Sequence, residues 1–223
     1  MLLAVFFAAP HLIRDQPATP PAAEALPDVA GVKAKAERGD AEAQKTLGAI
    51  FAKGQGVKQD YKEAAKWYRL AAEQGNAAAQ TAMGELCESG QGTSHDDVEA
   101  AKWYRRAAEQ GYAPAQYNLA ALHVIGKGVN LDEAEALKWY RKAAEQGDEL
   151  AQYNLGMRFL EGKGVKPDVV EAFQWLSLAK DRGVTDGAAA LDLLKPRMTR
   201  EQVAEGKRRT AAFVIQKPGS STK

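Results

Sequence analysis

Between residues 41 and 53 the apolar side chains fall at Ala43, Leu47, Ile50 and Phe51, a spacing of i, i+4, i+7, i+8. That stripe is one face of a helix, so the spacing predicts an amphipathic helix over Ala41–Lys53. Gly54-Gln55-Gly56 stops it, because glycine supplies the left-handed conformation that closes a helix C-terminus. A second stripe runs over Tyr61–Gln74, where Ala64, Ala65, Tyr68, Ala71 and Ala72 share a broad face with Trp67 at its edge, and Gly75 ends it. Asp60 and Glu63 form a D-x-x-E capping box for this helix, the aspartate accepting a backbone amide and the glutamate reaching back.

The helix pair recurs. All four tryptophans, Trp67, Trp103, Trp139 and Trp175, stand 36 residues apart, and Gly39, Gly75, Gly111, Gly147 and Gly183 keep the same interval. The box returns as Asp96/Glu99, Asp132/Glu135 and Asp168/Glu171, which assigns these carboxylates to capping rather than acid–base chemistry. A fixed period in this range is the signature of a stacked array. The expected fold is therefore all-α, with repeats at 40–75, 76–111, 112–147 and 148–183. Gly48, Gly84 and Gly156 share one place in the first helix, with Ala120 in the third repeat, and are expected to let helices approach closely.

Both ends read as caps. Residues 29–39 match a second helix, and the cap at 184–215 begins with a first-helix match over Gly187–Leu194 that Pro196 interrupts. Thr199 and Gln202 form a further capping box, opening a helix to about Phe213 or Val214. This last helix, with Lys207, Arg208 and Arg209 on its exposed side, is expected to seal the open end of the stack. Residues 216–223 read as a loose tail. Residues 1–28 combine the apolar run Met1–Ala9 with a Pro/Ala-rich linker. The run is too short to span a bilayer, which needs ~20 apolar residues. It suits the apolar region of a secretory signal, although no Lys or Arg precedes it, so a periplasmic or secreted location is expected, with a cytoplasmic one as the alternative.

Composition narrows the function. Thirty Lys and Arg against 29 Asp and Glu give a formal charge of +1, with no basic excess of the kind that marks a nucleic-acid binder. One cysteine, Cys87, forms no internal disulfide, and with three histidines it offers no metal-ligand spacing. His123 and Cys87 align with Phe51 and Phe159 on the buried stripe, so both read as core residues. The run His95-Asp96-Asp97 is too poor in ligands for a metal once Asp96 is assigned to a cap. The Gly-x-Gly pairs at 54/56, 90/92, 126/128 and 162/164 follow no strand and read as turns, not phosphate loops. No catalytic residue, cofactor site or metal site is expected.

These motifs resemble the Sel-one-like repeat family, relatives of the tetratricopeptide repeats, whose pattern runs A-x-A-Q-x-x-L-G, G-x-G-V, W-Y and A-A-x-x-G. The third repeat gives Ala115-Gln116-Tyr117-Asn118-Leu119, Gly126-Lys127-Gly128-Val129, Trp139-Tyr140 and Ala143-Ala144-Glu145-Gln146-Gly147. Thr93 replaces the valine in repeat two, and repeat four carries Gln174-Trp175-Leu176 and Ala179-Lys180. The resemblance implies a right-handed superhelical solenoid of antiparallel helix pairs. It further implies a non-catalytic scaffold or adaptor, often in bacterial envelope signalling, exopolysaccharide regulation or host interaction, with a structural component of an exopolysaccharide assembly as one alternative. Cysteine-rich relatives linked to β-lactam hydrolysis supply the other alternative, an enzyme, which the single cysteine undercuts. In such solenoids the first helices line the concave side, where Tyr117, Asn118, Tyr153, Asn154 and Met157 form the candidate binding set. Exposed aromatic and Met side chains anchor contacts, and the asparagines would hold a partner's backbone; a packing role for these Tyr-Asn pairs is the competing reading. A monomer that binds a protein or peptide partner is expected.

Overall fold

The computed structural model describes residues 28–216, and sequence expectations for 1–27 and 217–223 lie outside that range. Among the described residues there are eleven α-helices and no strand. Helix α1 (Val29–Glu37) is followed by four pairs: α2 (Ala41–Lys53) with α3 (Tyr61–Glu73), α4 (Ala77–Ser89) with α5 (Asp97–Glu109), α6 (Ala113–Ile125) with α7 (Glu133–Glu145), and α8 (Glu149–Glu161) with α9 (Val169–Asp181). Helix α10 (Thr185–Leu194), a 3-10 turn at Lys195–Arg197 and α11 (Arg200–Ala212) complete it. Each first helix packs on its own second helix and on the second helix of the preceding repeat, so the pairs pile into one continuous solenoid.

The core follows from the stripes. Ala64, Ala71, Ala100, Ala107, Ala136, Ala143 and their partners are fully buried, and these small side chains let the helices approach until the larger ones interlock. Gly48 and Gly84 sit under tyrosine rings: a Cβ would meet Tyr68 at 2.7 Å and Tyr104 at 2.5 Å. At Gly156 the neighbour is Leu176, at 2.8 Å. The helix penalty of glycine, ~1 kcal/mol, is thus offset by a buried side chain from the facing helix that could not otherwise be admitted.

The capping expectation holds by half. Asp60, Asp96, Asp132 and Asp168 each accept the amide three residues on, at 2.9–3.1 Å. The glutamates do not reach back, because each N-cap amide already donates to the preceding helix, as from Asp96 to the Cys87 carbonyl at 2.9 Å and from Asp132 to that of His123 at 2.9 Å. Glu63, Glu99 and Glu135 pair instead with Lys66, Lys102 and Lys138 one turn on. Both halves of the box occur at Thr199 and Gln202.

The C-terminal helix departs further from expectation. Helix α11 takes α9 as its main packing partner rather than α10. Gly206 meets the Phe173 ring, Phe213 meets Trp175 edge-on at 5.5 Å, and Arg209 bonds Glu171 at 3.0 Å. Arg209 is therefore a docking residue rather than one of three exposed cations. On α10, Asp192 occupies the place of Gly48, Gly84 and Gly156, and its side chain is 80% exposed, so no ring from a further helix is called for. Asp28 belongs to α1 as its N-cap, not to a linker, and Gln216 is tied through its amide to the Glu145 carbonyl at 2.9 Å.

Candidate interaction face

The first helices form one layer, and their side chains facing away from the second helices make a ridge. Its residues do not share one environment. Tyr117 is 6% exposed, with its ring 5.7 Å from that of Tyr140 in a tilted contact. The expected exposed anchor is thus a packed core side chain, because the close fit of α6 on α7 draws the ring inward. Tyr153, one repeat on, is half-buried, as are Asn118, Asn154 and Met157. Burial first, then the carboxylates of Asp186 and Glu161, raise the Tyr153 hydroxyl pKa, so those two acids stand near the ring. Asn154 donates one amide hydrogen to the Leu150 carbonyl of its own helix at 2.9 Å, which leaves its second hydrogen and its Oδ1 for a partner's backbone. Of the members that remain accessible, Tyr153, Asn154 and Met157 share α8 with Leu160 beside them, and Asn118 lies on α6 with Val124 and Ile125.

The other singled-out residues are structural. His123 is buried, its Nδ1 3.1 Å from the Asn130 carbonyl. Cys87 is 3% exposed, and burial raises its thiol pKa, which disfavours the reactive thiolate. His95 places Nδ1 2.7 Å from the Glu88 carbonyl and Nε2 3.4 Å from Asp97. No group of three ligand-type side chains occurs among the described residues. An open cleft of about 560 Å³ lies at the first repeat between Phe51, Asp60, Tyr61, Lys62 and Gly92. In the next repeat the same place is crossed by Lys127, held 3.2 Å from both Glu88 and Asp97. Ala52, Tyr61 and Gln91, at the equivalent positions of the first, supply no such bridge.

The Sel1 repeat family matches at residues 41–76, 77–112, 113–148 and 150–184, more than half the chain. The chain belongs to the Sel1 repeat family. The first three matches begin one residue after the division read from the glycines, and the fourth begins two after it. Among solved structures, a Sel1 repeat protein from Oxalobacter formigenes is 35% identical, with 79% of this chain and 75% of that one covered and a TM-score of 0.68. A second is c5321, described as a protective antigen of uropathogenic Escherichia coli with an SLR fold, 28% identical at a TM-score of 0.56. That alignment covers 83% of this chain and 48% of the antigen, so the chain spans about half that relative's length. Among curated proteins none matches. The all-α solenoid expected from the sequence is therefore the architecture of the family.

Two features of the Sel1 repeats here escape a hydrophobicity reading. The first is a glutamine ladder. Gln44, Gln80 and Gln116 each donate from Nε2 to a carbonyl at the end of the preceding second helix, at 3.0–3.1 Å. Each accepts in turn from Gln74, Gln110 or Gln146, at 2.7–2.8 Å. Buried amides thereby stitch repeat to repeat, with both oxygen and nitrogen engaged. The signal was present, since both glutamines recur with the period. The second is the inner glycine of the Gly-x-Gly turns. At Gly92, Gly128 and Gly164 a Cβ would collide with the backbone carbonyl of Tyr61, Asp97 or Glu133 in the preceding repeat. These are inter-repeat contacts as well as turns.

Proposed function

We propose that this Sel1 repeat protein is a non-catalytic scaffold that presents the α6–α8 ridge to a protein partner. Sel1 repeat proteins generally mediate protein–protein interaction. The observation that carries the reading is the contrast between adjacent repeats: Tyr117 is consumed by packing, whereas Tyr153, Met157 and Leu160 stay partly open on one helix. A rigid row of accessible aromatic and aliphatic side chains recognises a partner without ordering cost on its own side. The buried histidine and thiol support the same view, since both are engaged in the core.

An envelope role extends this proposal. The apolar segment Met1–Ala9 and the description of one relative as a protective antigen both agree with an exported protein. Affinity capture from the native host, with wild type and Tyr153→Ala/Met157→Ala baits, tests the scaffold. A partner enriched by wild type and depleted about tenfold by the variant supports it; equal capture by both, or turnover of nitrocefin by purified protein, defeats it. N-terminal sequencing of the mature protein tests export, and an intact Met1 counts against it.

A further inference from the structure

Charge is divided unevenly between the two helix layers. Of the first helices, α2 carries Glu42 against Lys45 and Lys53, whereas α4, α6, α8 and α10 together carry six carboxylates, Glu85, Glu88, Glu149, Glu161, Asp186 and Asp192, and one permanent cation, Arg158. Arg158 is buried and spent on Glu133, so it offers nothing to the surface. The second helices are balanced: α3, α5, α7 and α9 together bear ten Lys or Arg against ten carboxylates. A chain of nearly zero net charge thus hides an acidic layer beside a neutral one, which the totals of the composition conceal.

The partly exposed apolar ridge belongs to the acidic layer. Tyr153, Met157 and Leu160 on α8 pack against the core along one edge and face solvent along the other, and Ile125 on α6 is 39% exposed. Glu161 follows Met157 by one turn on α8, and the exposed Asp186 lies in the first turn of α10, the next helix of the layer; both acids raise the Tyr153 hydroxyl pKa. Lys163, in the turn after α8, stands 2.8 Å from Glu161, but both side chains are exposed. Such a surface pair is weak and can exchange for a partner's cation. Met adapts its thioether to irregular apolar partners, and flanking carboxylates select among them by sign.

We propose that the α6–α8 ridge docks a cationic, apolar segment of the partner protein, one in which Arg or Lys alternates with aliphatic or aromatic side chains. The apolar side chains displace water from Met157 and Leu160, while the cations approach Glu161 and Asp186. An acidic segment meets like charge at the same acids and is turned away, so sign sets specificity and encounter rate more than final affinity. This inference rests on the scaffold reading above and adds the partner's chemistry.

Fluorescence anisotropy with three short labelled peptides provides the test: alternating Arg-Leu, alternating Glu-Leu, and alternating Arg-Ser. The Arg-Leu peptide is expected to bind wild type about tenfold more tightly than either of the others. Glu161→Lys/Asp186→Lys should weaken it by a similar factor, and the milder Glu161→Gln/Asp186→Asn to a lesser degree. Glu73→Lys/Glu109→Lys on the opposite layer should leave it unchanged, with circular dichroism confirming the fold of each variant. Equal affinity for the Glu-Leu peptide, or equal weakening by the opposite-layer variant, overturns the proposal. Full retention of a captured native partner by Glu161→Lys/Asp186→Lys sinks the charge inference and leaves the scaffold standing. Capture of no partner by wild type removes both.

Discussion

Single side chains here are tuned to their place in the period, and departures show what each place requires. Gln152 is 0% exposed, yet its Oε1 has no hydrogen-bond partner among the described residues, because Arg182 stands where Gln74, Gln110 and Gln146 complete the ladder. Arg182→Gln should restore the missing bond and raise stability by ~1 kcal/mol, read from chemical denaturation; no gain would mean that a water already serves that oxygen. Glycines divide in the same way. Gly75 has a φ of +91°, and a Cβ added there would find nothing within 4 Å, so Gly75→Ala should cost only ~1 kcal/mol of backbone strain. Gly92, at +71°, abuts the Tyr61 backbone, which cannot yield without parting two repeats. Gly92→Ala should cost about 3 kcal/mol or more, and equal midpoints for the two variants would refute the inter-repeat contact.

Among the elements, α11 is held only lightly by apolar burial. Its one buried residue is Gly206, and its grip on α9 depends on Phe213, Arg209 and Glu205. Repeat four prepares the berth. Gln174 replaces the lysine that occupies Glu63, Glu99 and Glu135 elsewhere, leaving Glu171 free for Arg209 and for the Trp175 indole at 3.0 Å. Arg208 first, then Arg209, hold the Glu205 carboxyl down at about 2. A folded-state value below the ordinary 4.5 means that its contribution is complete above that pH and fades as pH falls towards about 2. The protection factors of the α11 amides should therefore fall over that window while those of α5 and α7 hold; a parallel fall in all helices would contradict this. Phe213→Ala should uncover Trp175, with a red-shifted emission and the repeats intact. An unchanged spectrum would show that α11 does not shield the indole.

At the scale of the whole molecule, the stack is a one-dimensional series in which each repeat completes its neighbour. The inward-facing tyrosines report on it together. Burial pushes the Tyr68 hydroxyl up to about 12, and it drives Tyr104 and Tyr140 higher still. For an acid raised in the fold, stability is complete below the unfolded value near 10 and declines as pH rises through the folded one. Alkaline titration should accordingly show phenolate absorbance and helix loss advancing together above about pH 10. Phenolate formation by these tyrosines at pH 10 with full helicity would show that their rings are reached by solvent. The division into an acidic and a neutral layer belongs to this scale too, since it exists only once alternate helices are gathered side by side.

The period in the chain determined the helices, their order and their turns, because each start and stop is written in local chemistry: an aspartate before the helix, a glycine after it, a stripe between. Residues 41–53 were legible to the last residue for that reason, as was the capping box at Thr199. Membership of the repeat family followed from the same local signals. What distance along the chain conceals, only the stacked structure decided. Tyr117 and Tyr153 occupy equivalent positions, yet one is sealed against Tyr140 and the other remains partly open. The reciprocal glutamates were displaced by carbonyls from another helix, and α11 folded back on α9 rather than onward. In each case the deciding contact lies between residues from different helices. Such contacts depend on which neighbour is present, and a periodic sequence describes every neighbour alike.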